Sequence, residues 1–290
     1  TTMIQTYPCP SYLVNLRCVS GRGWPLPMII VNMIIFAAIA VFTILTLLHF
    51  RDNQQTKAMK QHFKMFLVLI VLMFIRVPWW FFGQAHYTKN TFFALANQCI
   101  NRLCLLLQFL FQSFYIQTWL LFLINFAHFN ERFVKRFFQV LDVVVSTFAA
   151  GCIVAVLFNT HTATMHLIRD IHTSVIGSMS MLISLLYLWT GTTLILRLRL
   201  IFSICSKQVR PFIWVSLGLV ALNLLRFFSL LFRIMFGHKI EPDWLFALLS
   251  YFVPDVLTAG LILWKEIHFA QRLRLRGEAE PILGQNDGYV

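Results

Sequence analysis

Residues 26–50 read LPMIIVNMIIFAAIAVFTILTLLHF, an apolar run without Asp, Glu, Lys or Arg. At about 1.5 Å per residue, a helix of this length covers the ~30 Å hydrocarbon core of a bilayer. Six further apolar runs follow, at 63–83, 99–127 (beginning as early as Phe92), 138–158, 171–196, 212–236 and 244–264. The sequence therefore predicts an all-α integral membrane bundle of seven spanning helices.

The overall composition agrees with a membrane protein. The chain has 290 residues, is 59% hydrophobic and 12% charged, and has a mean hydropathy of +0.73, so a soluble globule could not bury its apolar residues. A net charge of +13 would favour nucleic acid as the partner of a soluble protein. Here the basic residues cluster in the short gaps between apolar runs, which indicates membrane orientation, and no nucleic-acid partner is predicted.

The distribution of Lys and Arg among these gaps predicts the orientation. Fifteen basic residues follow the first, third, fifth and seventh runs, and five lie on the opposite side. By the positive-inside rule, the N-terminus is outside or lumenal and the C-terminus is cytosolic. Tryptophans are expected at both interfaces as amphipathic anchors, with Trp24, Trp79, Trp80 and Trp244 at outer helix ends and Trp214 and Trp264 at inner ones.

Three segments are predicted: a lumenal or extracellular leader at 1–23, the seven-helix domain at 24–268, and a cytosolic basic tail at 269–290. The leader has no apolar signal core, and whether a signal peptide precedes it stays open. Cys9 and Cys18 lie in the leader, where an oxidising compartment would allow a disulfide between them.

Arg76 and Asp255 are expected to form an ion pair inside the membrane. Helical rise places Arg76 about 18 Å from the inner side of the membrane and Asp255 about 17 Å from the outer side. In a hydrocarbon core of ~30 Å, Asp255 is then about 13 Å from the inner side, so the depths of the two residues differ by only about 5 Å. Arg226 is the second candidate partner because helix 6 also neighbours helix 7. Pro254, directly before Asp255, should kink helix 7 and free backbone carbonyls for polar contacts.

Two further arginines, Arg102 and Arg233, fall near the outer edge of their helices. We expect Arg102 and Arg233 to extend to the lipid headgroups. The alternative is that they face inward together with Arg76 and Arg226. In that alternative, the surplus of positive charge over Asp255 would attract an anion, such as a lipid phosphate, a carboxylate ligand or a transported ion. Interhelical hydrogen bonds are expected from five amide side chains: Gln108, Gln112, Gln117, Asn125 and Asn223.

No motif in the sequence indicates an enzyme, a metal site or a cofactor. Histidines that could ligate an intramembrane haem are missing from the helix centres. His161, His166 and His172 are expected in a solvated loop, at spacings that fit no helical metal pair. Helix 7 has no Lys before Lys265 for a retinal Schiff base.

The topology resembles that of G-protein-coupled receptors (GPCRs), but two receptor motifs are missing. Helix 3 ends in NFAHFNER at 125–132 rather than closing on Asp-Arg-Tyr, and helix 7 has VPDVL at 253–257 rather than Asn-Pro-x-x-Tyr. The chain more closely resembles the GPCR-like family of plant tobamovirus-multiplication membrane proteins and animal lysosomal orphan receptors. This resemblance rests on FIR at 74–76, LQFLFQSFY at 107–115, RPFIWVSLG at 210–218, LRF at 225–227 and YFVPDVL at 251–257.

The resemblance implies that Arg76, Arg226 and Pro254 are family positions. The family usually has an acidic residue one turn before the helix 7 proline, where this chain has Tyr251, and here the acid follows the proline as Asp255. The resemblance further implies an endosomal, lysosomal or vacuolar membrane and a receptor-like scaffold for membrane or cytosolic partners. The tail sequence EAEPIL at 278–283 loosely resembles an acidic dileucine sorting signal.

Three functions remain as alternatives. The first is a non-enzymatic GPCR-like scaffold that binds partners, membrane lipids or an anionic ligand. The second is an anion or small-molecule transporter or channel that uses the arginine surplus. The third is a structural subunit of a larger membrane complex.

Overall fold

Within the described residues the computed structural model is all-helical, with seven helices long and apolar enough to cross a membrane. The structure describes residues 26–51, 57–84, 91–127, 131–158, 162–201, 206–236, 245–246 and 248–267. In chain order the helices are α1 (Leu26–Arg51), α2 (Lys57–Gln84), α3 (Thr91–Ala127), α4 (Glu131–Phe158), α5 (Thr162–Ile201), α6 (Ser206–Phe236) and α7 (Leu248–Ile267). The prediction of seven long apolar helices is confirmed, and with it the class of multi-pass membrane protein.

Most helices are longer than the apolar runs that predicted them. α4 begins at Glu131 rather than near 138, and α5 begins at Thr162 rather than near 171. Backbone hydrogen bonding continues into polar sequence, and residues such as Glu and Lys are good helix formers in water. The predicted leader at 1–23, the tail at 269–290 and the Cys9–Cys18 pair lie outside the described residues.

The helices pack around α3. α3 contacts α2, α4 and α5, α2 also packs along α1, and α5 packs along α6. The share of the membrane span that is buried is 56% for α3 but only 17% for α4, so α4 lies at the periphery. The interior is filled by apolar side chains from several helices, among them Phe36, Leu69, Phe111, Tyr187 and Ile262.

Several hydroxyl side chains in the spans bond within their own helices. Thr43 Oγ1 donates to the carbonyl of Ile39 at 2.6 Å, and Thr190 Oγ1 donates to that of Leu186 at 2.6 Å. In hydrocarbon a polar group must find its partner inside the protein, and the carbonyl one turn earlier is always within reach. These hydroxyls therefore fit an apolar environment without a second helix.

Candidate functional site

Asp255 lies at the centre of a charged cluster in the bundle interior. Its side chain is fully buried, and Arg76 Nε donates to its Oδ2 at 2.7 Å. Arg226 Nη2 donates to the other oxygen, Oδ1. Both arginines named from the sequence as candidate partners are therefore bonded to the same carboxylate, which joins α2, α6 and α7. We call Arg76, Arg226 and Asp255 the charge cluster.

The backbone of α7 supplies a further acceptor to this cluster. Leu248–Phe252 form a turn of π-helix, directly followed by Val253 and Pro254. Pro254 has no N–H to donate to the carbonyl of Ser250, four residues earlier. That carbonyl instead accepts from Arg226 Nε at 3.2 Å. α7 thus holds the guanidinium of Arg226 at two points, the carbonyl of Ser250 and the carboxylate of Asp255.

Arg76 is enclosed by aromatic rings and an amide. Its Nη1 donates to Asn101 Oδ1 on α3 at 3.3 Å. Its guanidinium carbon lies 4.9 Å from the ring centre of Trp79 and 5.3 Å from that of Tyr251, within the range of cation–π attraction. Trp79 is buried, so the prediction of Trp79 as an interface anchor is wrong, because this ring packs on Arg76 and Tyr251. Trp214 and Trp264 are exposed as expected.

Arg102 was expected to reach the headgroups, and that expectation is wrong. Its side chain is 4% exposed, and Nη1 donates to the carbonyl of Gln98 at 3.0 Å. α3 lies at the centre of the bundle, and Arg102 lies eleven residues after its first residue, Thr91, so this side chain packs inside the protein. Arg233 lies on α6, but its side chain is outside the described residues. Three arginines, Arg76, Arg102 and Arg226, are therefore buried in the bundle.

A small cavity of about 10 Å³ lies beside Arg226. Its polar lining comes from Gln112, Ser180, Asn223 and Arg226. A volume of this order holds about one water molecule, and a polar lining of this kind offers it hydrogen bonds. The cavity as it stands admits a bridging water but not a polyatomic anion.

The five amides behave differently from one another. Gln117 Nε2 reaches Asp142 on α4 at 3.3 Å, an interhelical bond as expected. Asn223 Nδ2 donates to the carbonyl of Leu219 within its own helix at 2.9 Å. Gln108 is buried, and neither of its amide atoms bonds to a described residue. The side chain of Asn125 is outside the described residues.

A second charged cluster lies near the end of α7 and was not predicted. Glu266 is buried and accepts from Lys265 Nζ at 2.8 Å, while His62 Nε2 on α2 lies 3.1 Å from it. The ammonium of Lys265 also lies 5.3 Å from the ring centre of Tyr115 and 5.1 Å from that of Phe212. The predicted run ended at 264, so Lys265 was counted among the basic residues that follow the seventh run.

Asp142 on α4 was also missed. Its Oδ1 accepts from Ser113 Oγ at 2.6 Å and its Oδ2 from Gln117 Nε2 at 3.3 Å, both on α3. Its position inside the predicted run at 138–158 could have identified it, because an ionisable side chain within a membrane span is costly unless it finds a partner.

His172 does not lie in a solvated loop, contrary to expectation. It lies on α5, is 3% exposed, and its ring stacks on Phe148 of α4 with centres 6.2 Å apart. Cys99, Cys104 and Cys152 are free thiols. Within the described part of the chain, no group of three or more His, Cys, Asp or Glu is placed to hold a metal ion.

Comparison with protein-family models gives no match, and comparisons with curated proteins and with solved structures give none either.

Proposed function

We propose that this chain is a non-enzymatic, GPCR-like seven-helix membrane protein that acts as a receptor-like scaffold for membrane or cytosolic partners. In this proposal its N-terminus is outside or lumenal and its C-terminus is in the cytosol, as the distribution of basic residues favours. The observation that carries the proposal is the charge cluster, in which one buried carboxylate holds arginines from two other helices.

The cluster supports a receptor-like role because it ties together helices that a switch would have to move. If Asp255 released one arginine, it would still be paired with the other. The arrangement of α2, α6 and α7 with both ion pairs and an arrangement with only one would therefore differ by a single ion pair. Receptors of this general kind depend on an element with two discrete packings, which a bound ligand or partner biases. The π-helical turn in α7 lies at the same point, and such turns are frequent at functional sites.

The lipid-facing surface of the bundle favours a lipid as the ligand. A groove of about 560 Å³ runs between α1 and α7, with Ala38 and Gly260 among its small lining residues and Phe42 and Trp264 among its large ones. The lining is apolar and lies within the membrane spans. Its volume falls in the range of ordinary ligand sites. Membrane lipids are thus natural occupants of this groove, in an endosomal, lysosomal or vacuolar membrane as the family resemblance implies.

An anion transporter or channel is the second candidate, and the surplus of buried arginine favours it. Arg76, Arg102 and Arg226 outnumber Asp255 in this region, which leaves net positive charge. The one-water cavity beside Arg226 argues against this candidate, since no path for an ion opens there. A structural subunit of a larger complex is the third, favoured by the low burial of α4.

Crosslinking in the native membrane tests the scaffold proposal. After crosslinking, gentle solubilisation of the tagged chain should give a stoichiometric protein companion. Proteoliposomes containing the purified chain should show no flux of chloride, sulfate or phosphate. A chain that purifies alone and carries one of these anions would refute the scaffold, and loss of that flux in Arg76→Ala would assign transport to the charge cluster.

A further inference from the structure

The charge cluster contains one more positive group than negative. Arg76 and Arg226 contribute two guanidinium groups, whereas Asp255 contributes one carboxylate. All three side chains are at most 3% exposed. A net charge inside a membrane protein is costly, because little water is there to solvate it. An anion bound close to the cluster would therefore stabilise the folded bundle.

The guanidinium groups of the cluster have nitrogen atoms to spare. Arg226 donates from Nε to the carbonyl of Ser250 and from Nη2 to Asp255, and its Nη1 bonds to no described residue. Nη2 of Arg76 is buried and also bonds to no described residue. In the planar guanidinium fork, Nε and Nη2 of Arg226 form the edge that meets α7, and Nη1 lies away from that edge.

The cavity beside Arg226 brings further polar groups together within the membrane spans of α3, α5 and α6. Gln112 on α3 lines it, is 2% exposed, and has no hydrogen-bond partner for its Oε1. A half-turn of this amide would present its NH2 group to the cavity instead. Ser180 and Asn223 each donate one hydrogen to a carbonyl of their own helix, and Asn223 keeps a second N–H.

The size and the charge of this site together favour a monatomic anion. The cavity of about 10 Å³ holds a particle of about the size of one water molecule. A chloride ion is only slightly larger than water, whereas phosphate, sulfate and carboxylate groups are much larger. A water molecule would bond to the same polar groups, but it would leave the positive charge of the cluster unbalanced. A halide ion accepts hydrogen bonds from N–H groups and also neutralises that charge.

We propose that a halide ion, with chloride as the abundant biological one, binds in this cavity as a counterion of the charge cluster. Its ligands are N–H groups of Arg226 and Asn223 on α6 and of Gln112 on α3. The ion thereby links α3 to α2, α6 and α7, the helices that Asp255 joins. It is a bound part of the folded protein and not a transported substrate. This site goes beyond the scaffold function and does not depend on which partners the scaffold binds.

Thermal unfolding of the full chain in detergent measures the effect of the ion. The chain is purified separately in sodium chloride, sodium bromide and sodium gluconate at equal ionic strength. A ligand that binds only the folded state raises the unfolding temperature, whereas gluconate is too large for the cavity. We expect both halides to raise the unfolding temperature by about 2–5 °C over its value in gluconate.

Two buried glutamines of α3 provide a matched pair of variants. Gln112 lines the cavity, whereas Gln108, about one turn earlier, is 1% exposed, has an unpaired amide and does not line it. Gln112→Leu should lose the rise of the unfolding temperature in chloride, and Gln108→Leu should keep it. Both substitutions replace an unpaired buried amide by an apolar side chain of similar volume, so both variants should fold. Asn223→Leu, which fills the cavity from α6, should lose the rise as well.

Equal unfolding temperatures of the wild-type chain in chloride and gluconate would overturn the inference, and the cavity would then hold a water molecule. A rise in chloride that persists in Gln112→Leu or in Asn223→Leu would also overturn it, because the ion would then act elsewhere on the chain. Loss of the rise in Gln108→Leu would refute the site too, since that side chain does not line the cavity. These measurements involve no partner, so the crosslinking experiment tests the scaffold function separately.

Discussion

Asp255 is the residue on which the charge cluster depends. A carboxylate in the membrane interior is stable only when cations and donors surround it, and Asp255 has two guanidinium groups bonded to its two oxygens. The two arginines and Asp255 do not depend on one another equally. Each arginine has a second acceptor, whereas both arginines share the single carboxylate of Asp255. Arg76 also bonds Asn101, and Arg226 also bonds the carbonyl of Ser250.

Asp255→Ala should therefore destabilise the protein more than Arg226→Ala. The first substitution leaves two buried guanidinium groups without their carboxylate, whereas the second leaves Asp255 paired with Arg76. Breaking a buried pair by removing one partner typically costs about 3–5 kcal/mol, and we expect Asp255→Ala to lie at the upper end and Arg226→Ala below it. Thermal unfolding in detergent measures the difference.

Phe74→Ala is the matched control for this comparison. Phe74 lies on α2 half a turn from Arg76 and is 54% exposed on the outside of the bundle. Its removal should lower the unfolding temperature far less than either substitution in the charge cluster. Equal unfolding temperatures for Asp255→Ala and Arg226→Ala would contradict the assignment of Asp255 as the shared partner.

At the scale of the elements, α5 and α6 approach each other closely at Gly191. A Cβ atom added there would lie 2.0 Å from Ser216 Oγ and 2.9 Å from Ser216 Cβ, both far below contact distance. Ser216 Oγ donates to the carbonyl of Tyr187 on α5 at 3.3 Å, so moving it would also break a bond between the two helices. A small residue at position 191 is what allows this contact.

Gly191→Ala should consequently destabilise the bundle by about 1–3 kcal/mol, the usual cost of overpacking a tight contact. Gly151→Ala on α4 is the matched control, because nothing lies within 4 Å of an added Cβ there. Alanine is the better helix former, so Gly151→Ala should be neutral or stabilising by up to about 1 kcal/mol. Comparison of both variants by thermal unfolding tests the close approach, and equal behaviour of the two would argue against it.

Sequence reasoning predicted positions along each helix better than it predicted neighbours. Apolar length and helical rise were sufficient to bring Arg76 and Asp255 to similar depth, and the structure places them in contact. The same reasoning did not reveal that Trp79 and Arg102 face the interior. The depth of a residue follows from counting residues along its helix, but the direction of its side chain depends on which helices surround it. The neighbours of each helix are determined by the packing around α3, and a single apolar run of the sequence does not reveal them.

The ends of the membrane spans were harder to predict than their centres. Hydropathy marks where apolar residues stop, whereas a helix stops where its backbone loses partners. Glu266 lies beyond the predicted run at 244–264 yet is buried against His62 from α2. His172 was assigned to a loop because α5 was expected to begin near 171, and it lies ten residues inside a helix that begins at Thr162.

At the scale of the whole molecule, an odd number of spans places the two ends of the chain on opposite sides of the membrane. The imbalance of fifteen basic residues against five predicts the side of each connecting segment. The partners that the scaffold can reach depend on this assignment, because cytosolic regulators meet only the segments that follow the odd-numbered helices.

Glycosylation mapping tests the orientation directly. The sequence contains no Asn-x-Ser or Asn-x-Thr acceptor of its own, so the background is clean. We expect an acceptor placed in a Gly/Ser insertion at 85–90, between α2 and α3, to be glycosylated in microsomes, because that segment is predicted to be lumenal. The same insertion at 128–130, between α3 and α4, should stay unmodified. Modification at 128–130 but not at 85–90 would show that the orientation is the reverse of the predicted one. The segments proposed for cytosolic partners would then lie on the lumenal side.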